Sequence, residues 1–185
     1  MKLDLRRHFL DRYPAKRPIV FDACAGTGVL WTRLRTEYDV RYWGVDVKKA
    51  RGRLAIDSER VLAQPGWKFE IVDIDTYGSP WTHWLALLPH VTRPLTVFLT
   101  MGNLTAGDKV DHSVLQACGM SVSFLATLQK NCATLKWNLG EHVVAHCLSK
   151  VFDYKLRVVE AVRTVSPTGA AGSRAHYFGL RIEPA

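Results

Sequence analysis

The sequence predicts an α/β fold, with a seven-stranded, mostly parallel sheet, helices on both faces and an antiparallel hairpin at the C-terminal end. Short apolar runs alternate with helical patterns over residues 18–100, which is typical of consecutive strand–helix units. The run Leu95–Thr100 is apolar almost throughout, as expected of a strand buried on both faces. Two strand-like runs, Tyr154–Val165 and Ala175–Ile182, flank a stretch rich in Gly and Ala, which indicates a hairpin.

The chain opens with a basic helix, predicted over Leu3–Tyr13 and ended by Pro14. Its Leu5, Phe9 and Leu10 are expected to cover an edge of the sheet while its arginines stay in solvent. The five strands that follow are predicted at Pro18–Ala23, Arg41–Asp46, Leu54–Asp57, Lys68–Asp75 and Leu95–Thr100. The helices are predicted at Gly28–Glu37 and Ser58–Ala63, after Ser79, and over about 112–133 and 140–150.

The helix after the fourth strand has the clearest start signal. Ser79 is a favourable N-cap and Pro80 suits the first helical position, because proline lacks the N–H that would be unpaired there. Trp81 and Trp84 lie at helical spacing, so we expect them in the core rather than at a ligand.

Composition limits the class of protein. The chain has 185 residues with 48% hydrophobic and 23% charged side chains, which fits one globular domain. No apolar run approaches the roughly 20 residues that span a membrane, and the first residues lack the apolar core of a signal peptide. The four cysteines have no regular spacing, and His142 and His146 lack further ligands, so no metal site is predicted. These features predict a cytoplasmic protein with reduced thiols that does not bind a membrane.

The net charge of +8 favours a polyanionic partner, and nucleic acid is the usual one. A role in solubility alone is the alternative. The basic residues form two clusters, Arg6, Arg7, Arg12, Lys16 and Arg17, and then Arg41, Lys48, Lys49, Arg51 and Arg53. We expect polymer contacts from the basic N-terminal helix and from the hairpin tip at residues 166–174.

The first strand runs into a turn of small residues that predicts a nucleotide site. The turn consists of Asp22, Ala23, Cys24, Ala25, Gly26, Thr27 and Gly28. Glycines let the backbone approach a ligand closely, and a helix start adds free N–H groups. Trp31 stands where a dinucleotide fingerprint needs a small residue, which argues against NAD. Asp46, about 20 residues on, suits the ribose hydroxyls of an adenosine; the alternative is an ordinary strand–turn–helix.

The stretch Asp73–Pro80 (DIDTYGSP) carries the strongest chemical signal. Side chains two apart in a strand share a face, so Asp73 and Asp75 point the same way where open α/β sheets bind ligands. The stretch resembles the Asp-Pro-Phe/Tyr-Gly-Ser/Thr-Pro motif of tRNA guanine-N2 dimethyltransferases, with Thr76 at the position of the proline. The turn at Asp22–Gly28 resembles that family's first motif, and the resemblance covers about residues 18–105.

The resemblance implies a Rossmann-like methyltransferase sheet, S-adenosyl-L-methionine as cofactor and specific roles for ten residues. Asp75 and Tyr77 would hold the target amine. Asp57 would accept a hydrogen bond from the adenine amino group; the alternative is that it only caps a helix. For Asp73, the alternative to a cofactor contact is a purely structural role. The residues implied for the cofactor are Asp22, Ala23, Gly26, Thr27, Gly28, Asp46, Asp57 and Asp73.

The predicted activity is methyl transfer to a nucleobase exocyclic amine, with guanine N2 in RNA favoured by the resemblance. Two alternatives stay open, a DNA amino methyltransferase and a non-catalytic cofactor-binding or nucleic-acid-binding subunit. The chain is about half as long as the enzymes it resembles, which leaves open a partner protein that supplies target recognition. We expect a single domain over 1–185, with the basic helix in 1–17, the motifs in 18–105, and the last helices and the hairpin in 106–185.

Overall fold

A computed structural model of the chain describes residues 1–48, 54–76, 78–102, 123, 144–167 and 175–185. The α-helices are α1 (Lys2–Arg12), α2 (Val29–Leu34), α3 (Ser58–Leu62) and α4 (Trp81–Leu87), with a further helical stretch over 144–149. The strands are β1 (Ile19–Asp22), β2 (Arg41–Asp46), β3 (Leu54–Ala55), β4 (Ile71–Asp75), β5 (Leu95–Met101), β6 (Leu156–Val165) and β7 (His176–Pro184). Short 3-10 turns lie at Leu88–His90 and Lys150–Tyr154.

The strands form one seven-stranded sheet in the order β3-β2-β1-β4-β5-β7-β6. Every neighbouring pair from β3 to β5 is parallel, whereas β7 runs antiparallel to both β5 and β6. The α/β fold class and the C-terminal antiparallel hairpin predicted from the sequence are therefore confirmed. Among the helices that the structure describes, none has the length and apolar composition that a membrane crossing requires.

Helix α1 covers one face of the sheet near its middle. Its buried Leu5 and Phe9 pack with Val20 of β1 and Phe98 of β5. In β7, Gly179 provides the space for this helix, because a Cβ built there would lie 2.4 Å from a ring carbon of Phe9. The predicted apolar face is confirmed, but it covers the centre of the sheet rather than an edge.

Helices α3 and α4 cover the opposite face. Trp81, Trp84 and Leu87 of α4 are completely buried in this second core, which confirms that the tryptophans are core residues. The Nε1–H group of Trp84 donates to the carbonyl of Cys147 at 2.7 Å. The N-cap of α4 is Pro80, one residue later than predicted.

Several predicted boundaries differ from those observed. Strand β3 pairs with β2 alone at the edge of the sheet and keeps only two residues. Strand β4 begins at Ile71 rather than at Lys68, and α2 ends at Leu34. The helix predicted over 112–133, apart from residue 123, the first part of the helix predicted over 140–150 and residues 168–174 of the hairpin tip lie outside the described residues, whereas 144–149 is helical as predicted.

Substituting Gly179 by alanine should weaken the packing of α1 against the sheet. Gly179→Ala places a methyl group against Phe9, and we expect the free energy of unfolding to fall by about 1–3 kcal/mol because the core is overpacked. Urea unfolding of Gly179→Ala, Phe9→Leu and the double variant measures the coupling. The smaller leucine should relieve the clash, so the double variant should lose less than the sum of the single losses. Strictly additive losses would contradict the contact.

Candidate functional site

A cavity of about 600 Å³ opens at the carboxyl ends of β1, β4 and β5. Its walls come from the start of α1, the glycine turn, the end of β4 and the start of β7. Six of the residues predicted for the site line it, namely Asp22, Gly26, Thr27, Gly28, Asp73 and Asp75. Ala23, Asp46 and Asp57 are described but lie outside this lining, and Tyr77 lies outside the described residues.

The glycine turn is held open by backbone contacts to the strands on either side. Gly26 has a φ of 47° and Gly28 a φ of 67°, a region that side chains disfavour. The N–H group of Ala25 donates to Val45 of β2 at 2.9 Å, and that of Ala23 donates to Asp73 of β4 at 2.8 Å. The predicted need for glycine at this turn thus has a conformational cause.

Asp46 and Asp57 shape the backbone around the turn. Asp46 accepts from the N–H group of Gly26 and from that of Lys48, both at 2.9 Å, so it fixes the glycine turn against the end of β2. Asp57 is the N-cap of α3 and accepts from the N–H group of Glu59 at 3.1 Å. Asp57 therefore caps this helix, and its predicted contact with the adenine amino group stays a prediction.

Three carboxyl groups, those of Asp22, Asp73 and Asp75, lie together at the ends of β1 and β4. Asp22 and Asp73 face each other as register partners on neighbouring strands, and both are buried. Burial and the nearby Asp73 carboxylate raise the pKa of Asp22 to about 7, although Tyr42 donates a hydrogen bond to it at 2.8 Å. Such a concentration of acid requires nearby positive charge.

Arg6 of α1 neutralises Asp73 from inside the core. Its guanidinium donates through Nε and Nη2 to the two oxygens of Asp73, at 2.7 and 2.6 Å, and the two side chains are only 1% and 2% exposed. The Nε1–H group of Trp31 adds a third bond to Asp73 at 2.7 Å. Asp73 is thus satisfied by donors of the chain itself. The prediction that the arginines of α1 stay in solvent was wrong for Arg6, which is too buried to contact a polymer.

Lys2 neutralises Asp75 at the mouth of the cavity. Its Nζ lies 2.6 and 2.8 Å from the two carboxylate oxygens of Asp75 and 5.1 Å from the ring centroid of Tyr177. Unlike the pair of Arg6 and Asp73, this pair is partly exposed, with side chains 32% and 25% exposed. Sequence reasoning missed Lys2, Arg6 and Tyr177, because all three reach the site through long-range packing.

Cys24 lies in the wall of the cavity, where its surroundings favour the thiol over the thiolate. Burial and the neighbouring Asp22 and Asp46 raise the pKa of its thiol to about 12, so it stays protonated at neutral pH. Among the described residues, no group of three or more potential ligands is placed to hold a metal ion. His142, of the histidine pair noted in the sequence, lies outside them.

Comparison with known proteins identifies the fold. Neither a family model nor a curated protein matches the sequence. The whole chain superposes on Trm1 from Pyrococcus horikoshii, solved with S-adenosyl-L-methionine, with a TM-score of 0.64 and 15% identity. It spans 54% of that chain, or about half its length.

Two further structures share the fold. TYW2 from M. jannaschii in complex with AdoMet aligns with 98% of this chain and 75% of its own, with a TM-score of 0.59 and 8% identity. The plantazolicin methyltransferase BamL, solved with a triazolic desmethylPZN analog and SAH, aligns with 94% of this chain and 80% of its own, with a TM-score of 0.52 and 9% identity. The chain therefore has the fold of S-adenosylmethionine-dependent methyltransferases.

Two neighbouring arginines of α1 provide a matched test of the buried ion pair. Arg6→Gln leaves the Asp73 carboxylate buried with too few donors, and we expect a loss of about 3–5 kcal/mol in the free energy of unfolding. Arg7 pairs with Glu37 at the surface, so Arg7→Gln should leave that free energy almost unchanged. Urea unfolding of both variants measures the difference, and equal losses would refute a special role for Arg6.

Proposed function

We propose that the chain transfers a methyl group from S-adenosyl-L-methionine to an exocyclic amine of a nucleobase, with guanine N2 in RNA as the favoured target. The observation that carries the proposal is the placement of Asp75. Its partly exposed carboxylate lines the same cavity as the glycine turn. A carboxylate beside a cofactor site suits the activation of an amine.

The residues around the cavity fit the cofactor. Gly26 and Gly28 add no side chain to the cavity wall, and Asp22 and Thr27 of the same turn line it. When bound, S-adenosylmethionine supplies an electrophilic methyl group on a positively charged sulfur. Asp46, next to the turn, would accept from the ribose hydroxyls with the lone pairs that its bonds to Gly26 and Lys48 leave free.

The predicted cofactor roles of Asp57 and Asp73 receive less support. One oxygen of Asp57 caps α3 and the other pairs with Arg60 at 3.3 Å. Both oxygens of Asp73 are taken by Arg6, and one of them by Trp31 as well. We therefore propose that Asp73, with three donors of the chain, acts on the cofactor through the shape of the site, whereas Asp57 would accept from the cofactor only with the lone pairs that its two contacts leave free.

The chemistry of Asp75 favours guanine over other bases. An exocyclic amine is a poor nucleophile because its lone pair is delocalised into the ring. A hydrogen bond from its N–H group to a carboxylate counteracts this delocalisation. Guanine presents N1–H and N2–H side by side, so it offers two donors to the two oxygens of Asp75. Adenine and cytosine place an acceptor beside the amine, which a carboxylate repels. The backbone carbonyl of Thr76 would accept the second amine hydrogen, and Asp75 would take the proton as transfer proceeds.

Charge supports a nucleic acid target. The net charge of +8 attracts a phosphate backbone, and a paired base would have to leave its stack to reach the cavity. The motif at Asp73–Pro80 favours RNA over DNA, because it resembles the motif of tRNA-modifying enzymes. A partner protein that supplies further target recognition is compatible with this site.

Transfer of labelled methyl groups tests the proposal. With tritiated cofactor, we expect label in unmodified tRNA rather than in duplex or single-stranded DNA, and nucleoside digestion should assign it to N2-methylated guanosine. Asp75→Asn should lower the rate by about 10²–10⁴-fold, since it removes the proton acceptor. Asp153→Asn, a surface acid paired with Lys150, is the matched control and should behave as the wild type.

Two results would count against this function. Near wild-type transfer by Asp75→Asn would remove Asp75 from the mechanism. Label in none of the polymers, with cofactor binding intact, would favour the non-catalytic subunit, whereas label in DNA alone would make the chain a DNA amino methyltransferase.

A further inference from the structure

We propose that Tyr177 forms the wall on which the target base stacks, and that the Lys2 ammonium occupies the position of the target amine until a base displaces it. The inference rests on the proposed function, because it assigns the base subsite of the same cavity. Tyr177 belongs to the C-terminal hairpin, which the sequence motifs did not connect with the site.

The sheet places three polar side chains of this subsite side by side. Asp75 at the end of β4 is the register partner of Thr100 in β5, and Thr100 is the register partner of Tyr177 in β7. All three line the cavity. The strand register places Asp75, Thr100 and Tyr177 in one row, so their backbones are fixed by the sheet rather than by a loop.

Lys2 marks where an amine binds in this row. Its Nζ contacts both oxygens of Asp75 and lies over the ring of Tyr177, 5.1 Å from the centroid. An amine attached to a planar base and bonded to Asp75 at this position would bring the base within stacking range of Tyr177. Stacked aromatic rings have their centroids about 4.5–7 Å apart, and a base whose amine lies beside Asp75 can reach that range from Tyr177.

The Thr100 hydroxyl is a second observation that favours a polar ligand in this cavity. Its residue is only 5% exposed, and its Oγ1 has no hydrogen-bond partner among the described residues. A buried hydroxyl without a partner is unfavourable, so a polar ligand in this cavity would stabilise it. A ring nitrogen or carbonyl of a base is a suitable partner.

Lys2 can leave without undoing the fold. Its pair with Asp75 is partly exposed, and exposed ion pairs are weak. The neighbouring Arg6 remains fixed to Asp73 in the core, and it also donates to the backbone carbonyl of Lys2 at 3.0 Å. The helix therefore stays in place while the Lys2 side chain moves, and Asp75 becomes free to accept the target amine.

Chemical labelling of Lys2 reports the exchange without any methyl transfer. The folded chain is treated with formaldehyde and cyanoborohydride, and the modification rate of Lys2 is measured by mass spectrometry with guanosine, adenosine, cytidine or no nucleoside. We expect guanosine to raise the rate at Lys2 and to leave Lys150 unchanged. Asp75→Asn, which removes the charge that holds Lys2, is the positive control and should raise the rate alone.

Substitutions of Tyr177 then test the stacking wall. Tyr177→Leu should raise the guanosine concentration for the half-maximal effect by roughly tenfold or more, because the stacking surface is lost. Tyr177→Phe keeps the ring and should respond as the wild type. Tyr154→Leu changes an exposed tyrosine outside this cavity and serves as the matched control.

The inference is overturned if no nucleoside changes the Lys2 rate, or if Tyr177→Leu responds to guanosine as the wild type does. Failure of the proposed function is a separate result. A guanosine response that depends on Tyr177, without transfer to any polymer, would retain the base subsite and reject the enzyme. Transfer to tRNA without any nucleoside effect on Lys2 would retain the enzyme and reject this subsite.

Discussion

The buried ion pair between Arg6 and Asp73 fixes the geometry on which the site depends. It places a charged side chain of α1 in the core, beside the carboxyl ends of β1 and β4. Such a pair is costly to desolvate and is retained only where both partners are fully bonded, as they are here with the help of Trp31. Three elements, α1, α2 and β4, therefore meet at one carboxylate.

The positions of two acids along β4 separate a structural role from a chemical one. Asp73 and Asp75 point to the same face, but one lies under α1 and the other at its exposed start. Arg6 holds Asp73 in the core as a structural residue, whereas the partly exposed contact with Lys2 leaves Asp75 accessible. A single helix thus stabilises the sheet and covers the opening of the cavity.

The local signals of the sequence predicted the sheet, the hairpin and the glycine turn correctly, because each depends on spacing within a short segment. The burial of Arg6 could not be predicted in this way. A basic residue next to an apolar face normally stays in solvent, and only the packing of α1 over β4 brings it to Asp73. Tyr177 reaches the cavity through the antiparallel register with β5, about a hundred residues from the motif at Asp75. Long-range register of this kind leaves no local pattern.

Calorimetric titration with S-adenosylhomocysteine tests the central claim, that the cavity beside the glycine turn holds the cofactor and that Asp75 serves the target instead. We expect one binding site per chain in the wild type and unchanged affinity in Asp75→Asn. Gly28→Val should not bind, because Gly28 lines the cavity with a φ of 67° that valine disfavours, so the substitution distorts the turn. Absence of binding to the folded wild type, or equal binding by Gly28→Val, would contradict the account.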